Sequence, residues 1–326
     1  MSNRIRVGVL RGGPSSEYEV SLKTGGAVLK TIRENLADRY EVHDVFIDRD
    51  GVWHLNGFPF LPTDGQSRFD IAFNALHGAY GEDGKVQAIL ETHNIPFTGS
   101  GSISSGIGMN KILTKEVLKK QGMKTPYWKE LPSKKVTADP TAMAHELFRT
   151  FLMPAVIKPA SSGSSVGVSV VHKFADIEPA LIKAAKHGPT ILVEEFIQGR
   201  EATCGVIEGF RGEKLYALPP VEIRPKNAFF DYEAKYAGKS EEIVPSTFSE
   251  ETKRELELLA RKAHEALGLR HYSRTDFIIH PRRGIYVLET NTLPGLTEES
   301  LLPKALNAVG SDLACFVDHI IVTALA

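Results

Sequence analysis

Two cysteines, Cys204 and Cys315, are all that the 326 residues hold. A disulfide scaffold is excluded, and the apolar surroundings of both thiols predict buried free cysteines. Long hydrophobic runs are missing too, since none approaches the roughly 20 residues that span a bilayer. The apolar stretch Val7 to Leu10 is shorter than the roughly 7–15 residues of a signal-peptide core, and no small-residue cleavage site follows it. It reads instead as the first strand of a cytoplasmic protein. Neither sign of charge is in excess: 39 Lys and Arg stand against 40 Asp and Glu, for a net charge of −1. That balance leaves no electrostatic footprint for nucleic acid or anionic lipid. The composition, 42% hydrophobic and 24% charged, is that of a globular protein, and the length suggests two domains or three small ones.

Several common motifs are missing as well. A P-loop needs G-x-x-x-x-G-K-[ST]. Gly84-Lys85 has Ala79 at the first glycine position, and Gly238-Lys239-Ser240 has Glu233 there. The G-x-G-x-x-G dinucleotide fingerprint is absent after the first strand, and no Cys/His cluster has zinc spacing. Gly163, Ser165 and Gly167 do satisfy G-x-S-x-G. A nucleophile elbow sits between strand and helix, however, and this motif runs into the β-branched Val166, Val168, Val170 and Val171.

What is present is a strand–helix–strand rhythm at the amino terminus. Strands are expected at Arg6 to Leu10, Tyr40 to Ile47 and Ile71 to Leu76. A helix after the first begins with a Ser16/Glu19 capping box. This is an α/β pattern with a parallel sheet, closing near Thr98 to Ser102. A helix follows over Lys111 to Gly122, then short strands at Ala155 to Lys158, Val166 to His172 and Thr190 to Phe196. Residues 224–247 are polar and irregular, and long for a structureless connection, which suggests a lid.

The sharpest constellation is a hairpin near the carboxyl terminus. Ser273 to His280 and Ile285 to Asn291 read as strands joined by the turn Pro281 to Gly284. A symmetric turn pairs His280 with Ile285, Asp276 with Glu289 and Arg274 with Asn291, and puts the last two pairs on one face. Carboxylates opposed across a ladder repel, and a divalent cation would reverse that. Asp, Glu and Asn offer hard oxygen donors suited to Mg²⁺. The same residues also suit an exposed charged face on which Arg274 offsets the acids. Elsewhere, Lys158 precedes the Ser/Gly loop Ser161 to Ser165, of the kind that cradles phosphates. Glu194 and Glu195 end an apolar strand that could seat an adenine or be an ordinary core strand. Lys111 opens a helix, and His77 follows a strand where α/β domains place ligands.

Six stretches occur in a telling order: GGxSxExEVS (Gly12 to Ser21), ALHG with GEDG (Ala75 to Gly84), KPxxxGSSVG (Lys158 to Gly167), DYEAKY (Asp231 to Tyr236), SRTDF (Ser273 to Phe277) and LETNTLPGLT (Leu288 to Thr297). Together they resemble the D-alanine–D-alanine ligases of the ATP-grasp superfamily, from Val7 to about Pro303. The resemblance implies an α/β fold, α+β in its ATP-grasp part, with three domains. These are a Rossmann-like unit over 1–101, a central subdomain over 102–188, and a C-terminal subdomain over 189–326 carrying a mobile loop at 224–247.

The resemblance also implies ATP-dependent joining of two D-alanine molecules through D-alanyl phosphate, for peptidoglycan precursor synthesis, by a cytoplasmic homodimer. Lys111, Lys158 and Lys235 would contact phosphates, with Ser164 and Ser165 in the nucleotide loop. Glu194, Glu195 and Ile197 would line the adenine pocket, and Glu201 would meet the ribose. Asp276, Glu289 and Asn291 would hold two Mg²⁺ ions, for which Mn²⁺ can substitute. Glu17 and His77 would face the first D-alanine, and Ser300 and Leu301 the carboxylate of the second. Arg274 and the Gly295 backbone would stabilise the tetrahedral intermediate. Tyr236, Ser164 and Glu17 would form a hydrogen-bonded set closing the loop. Ser161, Ser162 and Phe196 depart from the pattern, standing where relatives often carry charged residues and a tryptophan. Ligases that use D-lactate, D-serine or another amine acceptor are the nearest alternatives. A non-catalytic nucleotide-binding protein is the alternative of a different class.

Overall fold

A computed structural model describes residues 4–161, 163, 166–225 and 240–326. Among these residues three sheets organise the fold. The first has the order β4-β3-β2-β1-β5, with β1 Ile5–Gly12, β2 Tyr40–Ile47, β3 Trp53–Leu55, β4 Phe58–Pro59 and β5 Ile71–Asn74. Its centre is parallel, as the strand–helix–strand rhythm requires, because β1 runs with both β2 and β5. The antiparallel β3 and β4 extend one edge, an addition that the sequence reading did not anticipate. The helix Tyr18–Asn35 starts without the expected capping box: Glu17 is its N-cap, with no side-chain cap. Ser15 fixes the approach instead, its Oγ accepting from Glu17 N at 2.9 Å and donating to His77 O at 2.8 Å.

The second sheet is antiparallel, in the order β6-β9-β7-β8, with β6 Trp128–Pro132, β7 Ala155–Pro159, β8 Ser169–Val171 and β9 Thr190–Glu195. The expected domain boundary at 188/189 therefore falls inside this sheet, because β9 lies between β6 and β7. The G-x-S-x-G stretch lies between β7 and β8, two antiparallel strands, so it does not have the strand–helix setting of a nucleophile elbow.

The third sheet follows β13-β12-β10-β14-β15, with β11 beside β10. The strands are β10 Arg200–Glu208, β11 Leu215–Ala217, β12 Val221–Pro225, β13 Ser240–Ile243, β14 Tyr272–His280 and β15 Gly284–Asn291. The expected irregular segment 224–247 contains regular structure, since Arg224 lies in β12 and residues 240–243 form β13. Residues 226–239, with Phe229, Phe230, Lys235 and Tyr236, lie outside the described residues.

The first and third sheets share a core, while the second sheet has its own. Val9, Val28 and Phe73 of the first unit bury against Tyr272, Leu302, Phe316 and Ile320 from the chain's last third. Each such side chain contributes roughly 1.5–3 kcal/mol of burial. Tyr40 Oη donates to Asp318 Oδ1 at 2.6 Å, holding the final helix Leu313–Leu325 against the first sheet. Leu118 and Met123, on and just after the helix Lys111–Lys120, join the core of the third sheet, not that of the second. Cys204 is buried as expected, but Cys315 is exposed, on the outer face of the last helix. Among the described residues no single helix is long and apolar enough to cross a membrane.

Candidate active site

The hairpin of β14 and β15 sets the centre of the site. Asp276 faces Glu289 and Arg274 faces Asn291, as the sequence predicts. The turn end differs: Pro281–Arg283 form a three-residue turn, and His280 pairs with Gly284 rather than Ile285. Gly284, at φ +82°, supplies the left-handed residue that closes such a turn. A bulge at Leu288 then restores the expected pairing. It also turns Leu288 and Glu289 toward the same cavity, while Val287 and Thr290 stay buried.

Two cavities flank this hairpin. The first, about 630 Å³, lies between the second and third sheets. Its walls are apolar, from Val156, Val168, Ile197, Ala202, Ile278 and Leu288. Lys158, Glu194, Glu195, Glu201, Asp276 and Glu289 supply charge. The second, about 420 Å³, opens toward the first sheet and is lined by Glu17, Thr24, His77, Arg274, Asn291 and Gly295, with Ser300 and Leu301 at one end. Lys111, Gly163, Ile223, Asp276 and Glu289 line both. Of the expected residues, only Ser164, Ser165, Lys235 and Tyr236 lie outside the described ones.

The charges at the junction are paired. Arg274 grips Asp276 with Nε at 2.9 Å and Nη2 at 3.0 Å, and Thr203 Oγ1 donates to Asp276 Oδ1 at 2.7 Å. The expected alternative, in which Arg274 offsets the acids, is thus part of the arrangement. Lys111 Nζ lies 3.1 Å from Glu289 Oε2. Its helix starts there because Asn110 Oδ1 caps Ile112 N and Leu113 N, and Lys111 N bonds Ala160 O at 2.9 Å. Asn291 Oδ1 accepts from Leu293 N at 3.0 Å. Among the described residues no three His, Cys, Asp or Glu side chains converge as a metal cluster. The donor set here is two carboxylates with an amide oxygen, which fits a hard divalent cation.

Glu194 lines the first cavity, and its side chain is engaged in two ion pairs. Its Oε1 lies 2.7 Å from Lys115 Nζ and its Oε2 2.6 Å from Lys158 Nζ. Burial alone would raise the Glu194 carboxyl, yet the two ammonium groups hold it below its ordinary value. Burial alone would lower Lys158, but Glu194 and Glu289 raise it. Lys115 is a residue that sequence reasoning missed. Its i+4 spacing from Lys111, which puts both on one helix face, is the signal that could have found it.

In the second cavity His77 is buried between Thr24 Oγ1 at 2.8 Å from Nε2 and Glu82 Oε1 at 3.2 Å from Nδ1. Burial, then the charge of Glu17, raises the Glu82 carboxyl. Glu17 is wedged between backbones: a Cβ on Gly163 would sit 2.1 Å from its Oε1, and one on Gly78 at 3.0 Å. Gly295 is similarly confined, since a Cβ there would meet Ser300 Oγ at 2.8 Å. Ser300 and Leu301 form the start of the helix Leu301–Ala308, where backbone N–H groups favour an anion. Lys23 and Glu299, which sequence reasoning did not single out, also line this cavity.

Comparison with known proteins identifies the family. Residues 117–322 match the model of the D-ala D-ala ligase C-terminus, and 6–65 and 58–100 that of the N-terminus. The D-alanine–D-alanine ligase of Geobacter sulfurreducens is 41% identical over 98% of this chain and 94% of its own length. Among solved structures, a D-alanine–D-alanine ligase from Bacillus anthracis complexed with ATP is 32% identical, with TM-score 0.77, over 98% of this chain and 97% of that one. The VanG D-Ala:D-Ser ligase from Enterococcus faecalis is 28% identical, with TM-score 0.85, over 99% of this chain and 100% of that one. The chain belongs to the D-alanine–D-alanine ligase family and is a ligase with the ATP-grasp fold.

Proposed function

We propose that the chain joins two D-alanine molecules at the expense of ATP, through D-alanyl phosphate, with the residue roles given below. The observation that carries this reading is the junction. A cavity sized for a nucleotide and a smaller, more polar one share Lys111, Asp276 and Glu289 where they meet. A γ-phosphoryl group reaching in from one side and a carboxylate from the other would meet beside these side chains.

One carboxylate oxygen of the first D-alanine attacks the γ-phosphorus, and the bond to the bridging oxygen breaks to release ADP. The deprotonated amine of the second D-alanine attacks the acyl carbon. The tetrahedral intermediate collapses and expels phosphate, which keeps one former carboxylate oxygen. Glu17 anchors the first ammonium group, beside His77. Arg274 and the Gly295 N–H face the tetrahedral oxygen, where preorganised donors act most strongly. Ser300 and Leu301 take the second carboxylate at the helix start. Lys111, Lys158 and Lys235 serve the phosphates, with Ser164 and Ser165 in the nucleotide loop. Glu195 and Ile197 line the adenine end, and Glu201 faces the ribose. Glu194 acts through Lys158. Tyr236, with Ser164 and Glu17, closes the site and excludes water from the acyl phosphate. Asp276, Glu289 and Asn291 would hold Mg²⁺, which when bound neutralises developing phosphoryl charge. The reading extends to a cytoplasmic homodimer that supplies peptidoglycan precursors.

Phosphate release from ATP, followed with and without D-alanine, tests the reaction. Products from equal D-alanine and D-lactate at pH 7.5 test the acceptor. D-alanine-dependent release and a dominant D-alanyl-D-alanine product are expected. Release indifferent to D-alanine, or an ester fraction above about half, would contradict the reading.

A further inference from the structure

The first helix of the site presents two lysines, and they go to different carboxylates. Lys111 reaches Glu289 at the junction, while Lys115, one turn later on the same face, reaches Glu194 at 2.7 Å. Lys115 lines neither cavity, and its side chain has no exposed surface. Its ammonium group also donates to Thr125 Oγ1 at 2.6 Å and Pro126 O at 3.3 Å, and it lies 5.4 Å from the centre of the Trp128 ring. The ammonium group thus has two hydrogen-bond acceptors and, in Glu194, one ion-pair partner. Burying a charge this completely is costly, and an apolar side chain of similar volume often serves a fold as well. The charge itself therefore calls for a reason.

We propose that Lys115 is a positioning residue for nucleotide binding: by pairing with Glu194 it leaves Lys158 with an unspent positive charge toward the phosphates. The inference rests on the reading of the first cavity as the nucleotide site. Glu194 lies between two ammonium groups, with Lys158 Nζ 2.6 Å from its other oxygen. Two positive charges against one negative leave an excess of one, and only Lys158 of the two lysines reaches the cavity. Without Lys115, Glu194 and Lys158 form a neutral pair, and a phosphate must compete with Glu194 for the Lys158 ammonium group. Burial lowers Lys115 to about 8, against the pull of Glu194, which favours its charged form.

Calorimetric titration of the full chain with ADP and Mg²⁺ at pH 7 tests this independently of peptide-bond formation. Lys115→Met should weaken ADP binding about tenfold or more. Adding Glu194→Gln removes the trapping carboxylate and restores the single excess charge. The Lys115→Met/Glu194→Gln variant should therefore return to within about threefold of the original affinity. In turnover, Lys115→Met should raise KM for ATP and leave KM for D-alanine within about twofold. A merely structural role predicts that the second substitution adds to the damage. Lys115→Gln, which keeps a donor but no charge, should reproduce the ranking should the methionine variant be insoluble. ADP affinity within twofold of the original in the single variants, or no recovery in the double variant, overturns the proposal. Absence of ADP binding by the unmodified chain would instead refute the nucleotide reading.

Discussion

The two cavities meet at the same carboxylates, yet they are built from different material. The first cavity, proposed for the nucleotide, is walled largely by strand residues from two sheets, with apolar side chains such as Val156, Ile278 and Leu288 among them. The second cavity, proposed for the amino acids, adds loops and helix starts to its strand residues: Glu17 before Tyr18–Asn35, His77 after β5, and Ser300 before Leu301–Ala308. Sheet faces give flat apolar walls, as a planar base requires. Loops and helix ends bring backbone N–H groups and short polar side chains close together, as a small zwitterion requires. The division of labour therefore follows from what each kind of backbone can present. The hairpin of β14 and β15 stands between the two and serves both.

This comparison predicts where single changes should act. The largest effect is expected at the shared junction. Glu289→Gln keeps the size and one oxygen but removes the charge, and kcat should fall on the order of 100-fold or more. Steady-state rates at saturating Mg²⁺ check it, and a variant above about a tenth of the original rate would detach Glu289 from the chemistry.

Next come paired changes on opposite sides. Lys158→Met should raise KM for ATP roughly 10- to 100-fold and leave both D-alanine constants within about threefold. Ser300→Ala should do the reverse, raising KM for the second D-alanine roughly tenfold. If each variant moved both sets of constants alike, the cavities would not be separable sites.

The smallest effect lies outside the site, at the joint between the first and third sheets. His271 Nδ1 accepts from Gly99 N at 2.9 Å, and burial lowers the ring to about 4. A folded value below the unfolded one, about 6.5, favours the neutral ring in the native state. The stabilisation is complete above about pH 6.5 and is lost as pH falls toward 4. Urea unfolding at pH 7, 5.5 and 4.5 should show this decline, worth on the order of 2 kcal/mol. His271→Gln should flatten it, and an unchanged slope would remove His271 from the account.

Much of this was legible in the sequence where local rules suffice. The parallel strands of the first unit follow from β-branched runs around a helix. Asp276 opposite Glu289 follows from side-chain alternation along a hairpin. That pairing survives a miscounted turn only because the Leu288 bulge compensates, and a bulge leaves little trace in composition. The membership of β9 in the second sheet was not legible, because strand order is decided by long-range packing rather than by the residues of Thr190–Glu195. Cys315 was misread for a related reason: its helix is apolar on both sides in sequence, but only the face with Phe316 and Ile320 meets the core. Lys115 was passed over because a lysine in a helix is ordinarily a surface residue. Only the fold brings Glu194 beneath it.

The most direct test of the central claim is the fate of a carboxylate oxygen. D-Alanine labelled with ¹⁸O in its carboxylate is supplied with ATP, and the released phosphate is analysed by mass spectrometry or ³¹P NMR. If the two cavities deliver a γ-phosphoryl group to that carboxylate, each dipeptide formed leaves one ¹⁸O in phosphate. Dipeptide formation with unlabelled phosphate would contradict the acyl phosphate and, with it, the shared junction as the place of phosphoryl transfer.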